Sequence, residues 1–502
     1  MAEHGRRPEV SKAALDWLVL TGISSARRRS LSEAKSAGAE ARREKDWSMR
    51  NREGVGVDPA RVASMLASES EAFIAKRPNA RALYERAKKS QLNGTPTYRA
   101  HHSPPAVPVA LKRAAGCHLW DTDGHVYTDF ALSGSASLFG HSHPRIVAAI
   151  REQLDLGMMS DWPGEDHVAV TEALQAHFGL PYWQFSVSAS DANRFALRLA
   201  RAATGRQRIL IFSDVYHGSL DETHAVATSD GIGLPTGVIR NGFDIAETTR
   251  AVRFNDVDGV RQALRSGDVA AVLVEPAVTT RRGIVMPDPG FHTELRRLTR
   301  DTETILIADE TQTIVAGPGG FTREFGLEPD MLTMGKWAAG GLPVGMYGMS
   351  QKVADALSSF SGRVMGSTLA GGAVTTHAMR VALNEVITPE SYGIMRRAAR
   401  RYEEAVRSLI VQYSLPWHVV RLGGRVVFGF DPEAPRTVEQ VLSVAEADTR
   451  WQLNRAIWHF LANRGVLINI WDCTSLFCPF NEDADVDLHI DTVDQAMRAL
   501  VA

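Results

Sequence analysis

The stretch MLTMGKWAAGGLPVG, residues 331–345, sets Lys336 between an apolar run and a cluster of glycines. Lysine is scarce in this chain: it occurs at nine positions, and only Lys336 and Lys352 follow Lys112. Surface charge is otherwise carried by arginine, so a lysine kept among apolar residues points to a task for an amine. A guanidinium stays protonated, whereas a desolvated amine can lose its proton and attack a carbonyl. Upstream, ILIADETQT (305–313) sets Asp309 and Glu310 directly after an apolar run, a costly placement unless the charges are used. Such a pair could bind a metal, act as acid and base, or partner a cationic ring nitrogen. A metal needs further ligands, and no HxH or ExxH cluster accompanies the pair, so none is expected. FSVSASDANRFALRLARAATG (185–205) leads through Ser188, Ala189 and Ser190 into a helical pattern. Small residues there let an anion approach the backbone N–H groups of a helix start, although an ordinary Ser/Asp-capped helix reads the same way. In DVYHGSLDE (214–222), Tyr216 and His217 follow another apolar run; Tyr216 could lie against a planar ligand or form part of a surface turn.

These residues sit at the ends of short apolar runs: RILIFSD (208–214), VAAVLVEP (269–276), TILIADE (304–310) and DMLTMGK (330–336). Each run is too short for a helix and lacks strict alternation, which is how strands buried on both faces read. Helical stretches such as FALRLARAATG (195–205) and HTELRRLTRDT (292–302) separate them. Strand, helix, strand predicts a mostly parallel sheet covered on both faces, with its ligand outside the carboxyl ends of the strands. Asp214, Glu275, Asp309 and Lys336 occupy those ends. CHLWDTDGHVYTDFAL (117–132) predicts two strands around a turn at Asp123-Gly124, and HPRIVAAIREQLDLG (143–157) a helix. From about residue 376 a long helix (376–412), VVRLGGRVVFGFD (419–431), a further helix (446–464) and a closing amphipathic segment predict a second, α+β domain.

A lysine, a carboxylate, a phosphate cradle and an aromatic ring at the ends of one sheet together point to pyridoxal 5'-phosphate. Its aldehyde needs a lysine for a Schiff base, and its ring nitrogen needs a carboxylate to stay protonated. The motifs then resemble a known family. GCHLWDTDGHVYTDF, FGHSHPRIVAAI, SVSASDAN, YHG, EP, DETQT, GK and GSTLAGGA (366–373) follow one another as in class III (omega-type) aminotransferases of the fold-type I pyridoxal-phosphate superfamily. The chain is most similar to their glutamate-1-semialdehyde-aminomutase-like branch, over roughly residues 80–500. The resemblance implies a large domain with a mostly parallel seven-stranded sheet covered by helices, and a smaller α+β domain built from N- and C-terminal segments. The expected division is a helical or partly disordered extension (1–75), an N-terminal contribution to the small domain (76–140), the large domain (141–375) and the C-terminal small domain (376–502).

The resemblance also implies roles. Lys336 would hold the cofactor as an internal aldimine and shuttle a proton; Asp309 would pair with the ring nitrogen. Gln312 would hydrogen-bond the phenolic oxygen, Tyr216 would stack on the ring, and His217 would join the same cofactor site. Ser188, Ala189 and Ser190 would cradle the phosphate, and Thr368 would reach it from the neighbouring subunit of a homodimer whose sites lie at the interface. Glu275 and Glu310 would support the site through hydrogen bonds. The implied reaction moves an amine from an amine or amino-acid donor to a keto acid, ketone or aldehyde in two half-reactions through pyridoxamine phosphate. An aminomutase or racemase begins with the same chemistry, and a nucleotide-binding α/β protein is the reading outside this chemistry. Ala189 for Gly, Ser190 for Thr, Asp191 for Glu, Thr311 for Val or Ile, and Gly372-Ala373 for Asn-Pro depart from the family pattern without removing a catalytic group.

Composition excludes other classes. A net charge of −2 argues against nucleic acid, and no run of about 18 apolar residues suggests a membrane span. Three cysteines (Cys117, Cys473, Cys478) imply no disulfide framework and favour a reducing cytoplasm, with Cys473 and Cys478 as packing residues. RRPEVSKAALDWLVLTGISSARRR near the N-terminus is interrupted by Asp16, which favours an amphipathic or poorly ordered segment over a secretory signal. For a substrate carboxylate the candidates are Arg363, Arg421 and Arg425; for an apolar substrate portion they are Phe139, Trp471 and Phe477.

Overall fold

The computed structural model describes residues 55–97, 107–159, 161–229, 231–235, 244–279, 283–358, 366–442 and 449–502. The basic-flanked N-terminal stretch and Arg363 lie outside them. Seven strands form the central sheet, in spatial order Tyr182–Ser186, Gly345–Met349, Met331–Gly335, Ile305–Asp309, Val269–Val274, Arg208–Phe212 and Thr249–Val252. All run parallel except Gly345–Met349, which is antiparallel to both neighbours. Every residue of Val269–Val274, Ile305–Asp309 and Met331–Gly335 is buried, as runs without alternation require. Side chains still alternate between two cores. Leu273, Ile305 and Ile307 pack with Phe195 and Leu199 of the helix Ala189–Thr204. Val272, Val274, Leu306 and Ala308 pack under Leu295 and Leu298 of the helix Phe291–Asp301 on the opposite face.

The smaller domain draws on both ends of the chain. Leu111–Ala115, His118–Asp121 and Val126–Asp129 form an antiparallel run, and Val466–Leu467 adds to it in parallel, pairing with Thr128 and Asp129. The turn between the second and third strands is held by Asp121, whose Oδ1 accepts from the backbone N–H groups of Asp123 (3.0 Å) and His125 (2.8 Å). A second sheet joins His418–Leu422, Arg425–Gly429 and Cys473–Leu476. The helix Pro59–Ala75 lies in the stretch expected as an extension, yet it buries Val62 and Phe73 against the helix Thr449–Ala462.

The single long helix expected over 376–412 is two. Ala373–Val381 continues as a wider turn over Ala382–Val386, and a separate helix runs Pro389–Gln412. Pro389 has no N–H for an interior turn, and Thr388 caps the new helix by accepting from Ser391 N at 3.2 Å. The first of these helices packs against Pro144–Leu156 and Glu165–Phe178, and its Ala378 and Met379, with Leu383 beyond it, share a core with Leu174 and Trp337.

Two buried histidines make acid stability a readable property. His489 lies between Tyr402 and Phe130, with ring centroids 4.2 and 4.4 Å away, and shares a 2.8 Å hydrogen bond with Ser475 Oγ. Burial lowers its pKa from 6.5 to about 3, and lowers that of His292 from 6.5 to about 4. Both are neutral in the folded protein and gain a proton on unfolding below about pH 6.5. Stability is therefore fully present above that pH and declines as pH falls towards the folded values. The urea midpoint is expected to drop between pH 7 and pH 5, and less so in His489→Gln.

Candidate active site

The carboxyl ends of the parallel strands and the start of the antiparallel one surround a cavity of about 330 Å³. Ser188, Ala189, Ser190, Tyr216, His217, Glu275, Asp309, Gln312 and Lys336 all line it. They arrive from five strand ends, so the doubly covered sheet is what gathers residues scattered over 149 positions of sequence (188–336).

Lys336 follows the strand Met331–Gly335 directly, with φ 61° and ψ −83°, a backbone conformation in which a non-glycine residue is strained. The chain then turns through Gly340 and Gly341, and Gly341, at φ 104°, forms part of the cavity wall. Trp337 faces away: it is 2% exposed and packs with Phe178 in the large core.

Asp309 ends its strand 5% exposed. Its Oδ2 accepts from His217 Nδ1 at 3.0 Å and from Asn193 Nδ2 at 2.9 Å, and its Oδ1 accepts from Thr311 N at 3.1 Å. Burial would raise its pKa, but the hydrogen bond and charge of His217, with the Thr311 and Asn193 bonds, hold it below the usual carboxylate value. Asn193 is itself fixed by donating to His217 O (3.0 Å) and accepting from Thr333 Oγ1 (2.5 Å). Glu275 behaves oppositely. Burial, reinforced by the charge of Asp309, raises its pKa against the 2.6 Å bond from Thr279 Oγ1.

The anion cradle is built by close backbone approach. Ser188 caps the helix Ala189–Thr204, its Oγ accepting from Asp191 N at 3.1 Å. Ser190 Oγ accepts from Ser219 N at 3.1 Å. A Cβ on Gly345 would lie 2.1 Å from Ser188 O, and one on Gly218 would lie 2.2 Å from Ser190 Oγ. The Gly345 clash is with backbone, so the cradle itself must shift. Gly345→Ala is expected to cost about 1–3 kcal/mol of stability and to loosen cofactor retention, read by thermal melting and dialysis.

The remaining assignments lie outside this cavity. Thr368 is exposed and does not line the cavity of its own chain. Glu310, fully buried, accepts from Thr313 Oγ1, Phe321 N, Thr322 N and Thr322 Oγ1; it anchors the 313–322 segment and does not line this cavity. Arg421 is ion-paired with Glu403 at 2.5 Å in a separate groove. Arg425 does not line the cavity but hydrogen-bonds Gln312, which does. Phe139 packs edge-on against Tyr392, Trp471 stacks on Trp451 and Phe477 is in the core, so none lines the cavity. Cys473 and Cys478 are buried free thiols. Among the described residues one Cys/His/Asp grouping, Cys117, His118 and Asp485, comes within metal-ligand reach; it lies in the small domain, and its members already hydrogen-bond one another.

Sequence reasoning passed over Asn193, Thr333 and Ser135. Asn193 and Thr333 were legible only as polar positions inside otherwise apolar periodic stretches. Ser135 belongs to a run, Leu132 to Ser135, with φ from 41° to 79° at every residue, which nothing in LSGS announces beyond Gly134.

These residues fit pyridoxal 5'-phosphate. Backbone N–H groups at a tightly held helix start suit its phosphate, an ionised carboxylate suits its ring nitrogen, and a strand-end lysine suits its aldehyde. Fold and cavity together define a pyridoxal-phosphate-dependent enzyme of fold type I. The chain belongs to the class-III aminotransferase family, whose profile matches residues 98–494. It is 31% identical to the glutamate-1-semialdehyde 2,1-aminomutase of Chloroflexus aggregans, over 80% of this chain and 93% of that one. It is 32% identical to glutamate-1-semialdehyde 2,1-aminomutase 2 of Geobacillus thermodenitrificans, over 80% and 94%. Among solved structures, a glutamate-1-semialdehyde-aminomutase from Pseudomonas aeruginosa PAO1 superposes with TM-score 0.85 at 38% identity, over 89% of this chain and 100% of that one. A lysine-to-alanine variant of it was solved in complex with PMP. An omega-transaminase from Sphaerobacter thermophilus superposes with TM-score 0.77 at 26% identity, over 84% and 98%. No helix among the described residues is long and apolar enough to cross a membrane.

Proposed function

We propose that this protein transfers an amino group from an amine or amino-acid donor to a carbonyl acceptor, with pyridoxal 5'-phosphate bound at Lys336. The observation that carries this reading is the joint lining of one cavity by Lys336, Asp309, Gln312, Tyr216 and the Ser188–Ser190 cradle. When bound, the cofactor supplies a carbonyl carbon for the substrate amine and a ring that accepts electrons. Lys336 binds it and then moves a proton to and from the substrate carbon. Asp309, kept ionised by His217 and Asn193, holds the proton on the ring nitrogen. The Ser188–Ser190 backbone would carry the phosphate, Tyr216 would cover the ring, and Gln312 would donate to the phenolic oxygen. Glu275 and His217 support the floor. Thr368, exposed on its own chain, completes the phosphate site of a second copy in a homodimer.

The second reading is an aminomutase that moves an amine within one substrate, favoured by the names of the relatives. The curated relatives so named share 29–32% identity with this chain, and the solved Pseudomonas aeruginosa protein so named shares 38%. A half-reaction separates the two. Holoenzyme mixed with an amine donor and no acceptor is expected to release one carbonyl product per active site and lose its visible band. Catalytic isomerisation of a single substrate, with no acceptor required, would establish the aminomutase instead.

A further inference from the structure

We propose that Arg425 is a positioning residue for the cofactor: it sets which way the Gln312 amide faces, so that Gln312 offers a donor to the cavity. This rests on the reading that the cofactor's phenolic oxygen lies at Gln312. Arg425 opens the small-domain strand Arg425–Gly429 and is 3% exposed. Its Nη2 donates to Gln312 Oε1 at 2.9 Å, and its Nη1 donates to Thr279 O at 2.8 Å. Ser135 Oγ shares the same Gln312 oxygen at 3.0 Å. A guanidinium has donors and no acceptor, so only the amide oxygen can face it. The Gln312 amide nitrogen is thereby turned from Arg425, and no protein partner receives it among the described residues, while Gln312 lines the cavity.

Reversing the amide would set N–H against N–H in a buried place and deprive Arg425 of a partner. Asp472 and Glu275 face the same guanidinium and offset the burial of its charge. The consequence crosses the domain boundary. Gln312 and Thr279 belong to the large domain, yet a small-domain residue decides whether the site presents a donor or an acceptor. An N–H donated to the phenolic oxygen draws negative charge from it, so the neighbouring Schiff-base proton is held less tightly. An amide free to turn its oxygen inward would hold that proton more tightly.

The test is a spectrophotometric pH titration of the visible band in the holoenzyme, with cofactor retention on dialysis as a second readout. Arg425→Met is expected to raise the titration midpoint by about one pH unit, a tenfold tighter proton, and to speed cofactor loss several-fold. Arg425→Lys, which also only donates, is expected to restore most of both. Loss of the Arg425 charge could itself move the midpoint, so the same change is made in a Gln312→Leu background, where the shift should vanish. A midpoint unmoved by Arg425→Met, or a shift that persists in the Gln312→Leu background, overturns the proposal. If Arg425→Met does not fold, Arg425→Gln replaces it in both backgrounds; that side chain can meet Gln312 with a donor or an acceptor, and the same two outcomes decide. A wild-type protein with no visible band would refute the reading of Lys336 instead.

Discussion

Lys336→Ala is expected to abolish the visible band of the cofactor-loaded protein and to lower turnover by at least about 10⁴-fold, the upper end of general acid–base catalysis alone. Two roles are lost together. The amine is the group that would bond the cofactor, and it is the mobile base at the end of the strand Met331–Gly335. The fold should tolerate the change, because Ala relieves none of the neighbouring packing and Trp337 behind it stays buried. Melting of the variant should therefore differ little from wild type in the absence of cofactor. A small primary amine added to the assay is expected to restore part of the rate by replacing the missing base. Turnover within tenfold of wild type in Lys336→Ala would sink the assignment, since no second lysine among the described residues lines the cavity.

Asp309→Asn is expected to cost on the order of 10²–10³-fold in turnover, the size of loss seen when one preorganised electrostatic contact is removed. Its shape is nearly unchanged and its charge is gone. His217 and Asn193 both point donors at Oδ2, so the single amide oxygen would be claimed there. The amide nitrogen would then stand where Thr311 N already donates, an unfavourable meeting that leaves no acceptor for a ring nitrogen. In the wild type the same contacts lower the Asp309 pKa below its ordinary value, so its carboxylate stays charged through the neutral range. The sign follows: its contribution to stability is present above the ordinary carboxylate pKa and is lost as pH falls through the lower folded value. An acid limb near neutrality in the rate profile would therefore belong to another group. A variant that keeps wild-type turnover, with cofactor bound, would refute the pairing of Asp309 with the ring.

Much of this is legible along the chain. Short apolar runs without alternation can hardly be anything but strands covered on both faces, and the groups that follow such strands fall on one edge by topology. Residue order alone therefore brings Glu275, Asp309 and Lys336 together. The scarcity of lysine makes Lys336 conspicuous for a reason independent of the strands. Family resemblance then assigns Gln312, Tyr216 and the Ser188–Ser190 loop to roles that their own residue types leave open.

Other properties depend on distance across the fold. Arg421 and Arg425 stand four positions apart in one hairpin, yet one pairs with Glu403 and the other reaches Gln312. Local sequence cannot separate them, because neither partner is near in sequence. Phe139, Trp471 and Phe477 are aromatic whether they line a pocket or not, and only packing tells that Phe139 and Phe477 fill a core while half-buried Trp471 stacks on Trp451. Asn193 becomes a hydrogen-bond donor to Asp309 because a helix face that reads as apolar happens to end over the sheet floor. Residue type and periodicity thus determined the strands, the chemistry-bearing side chains and the end of the sheet they share. Which charge meets which partner, and which face of Gln312 the cavity meets, was decided only by tertiary contacts. Hydrogen bonds act over about 3 Å, whereas partners around this cavity are separated by up to 177 residues of chain.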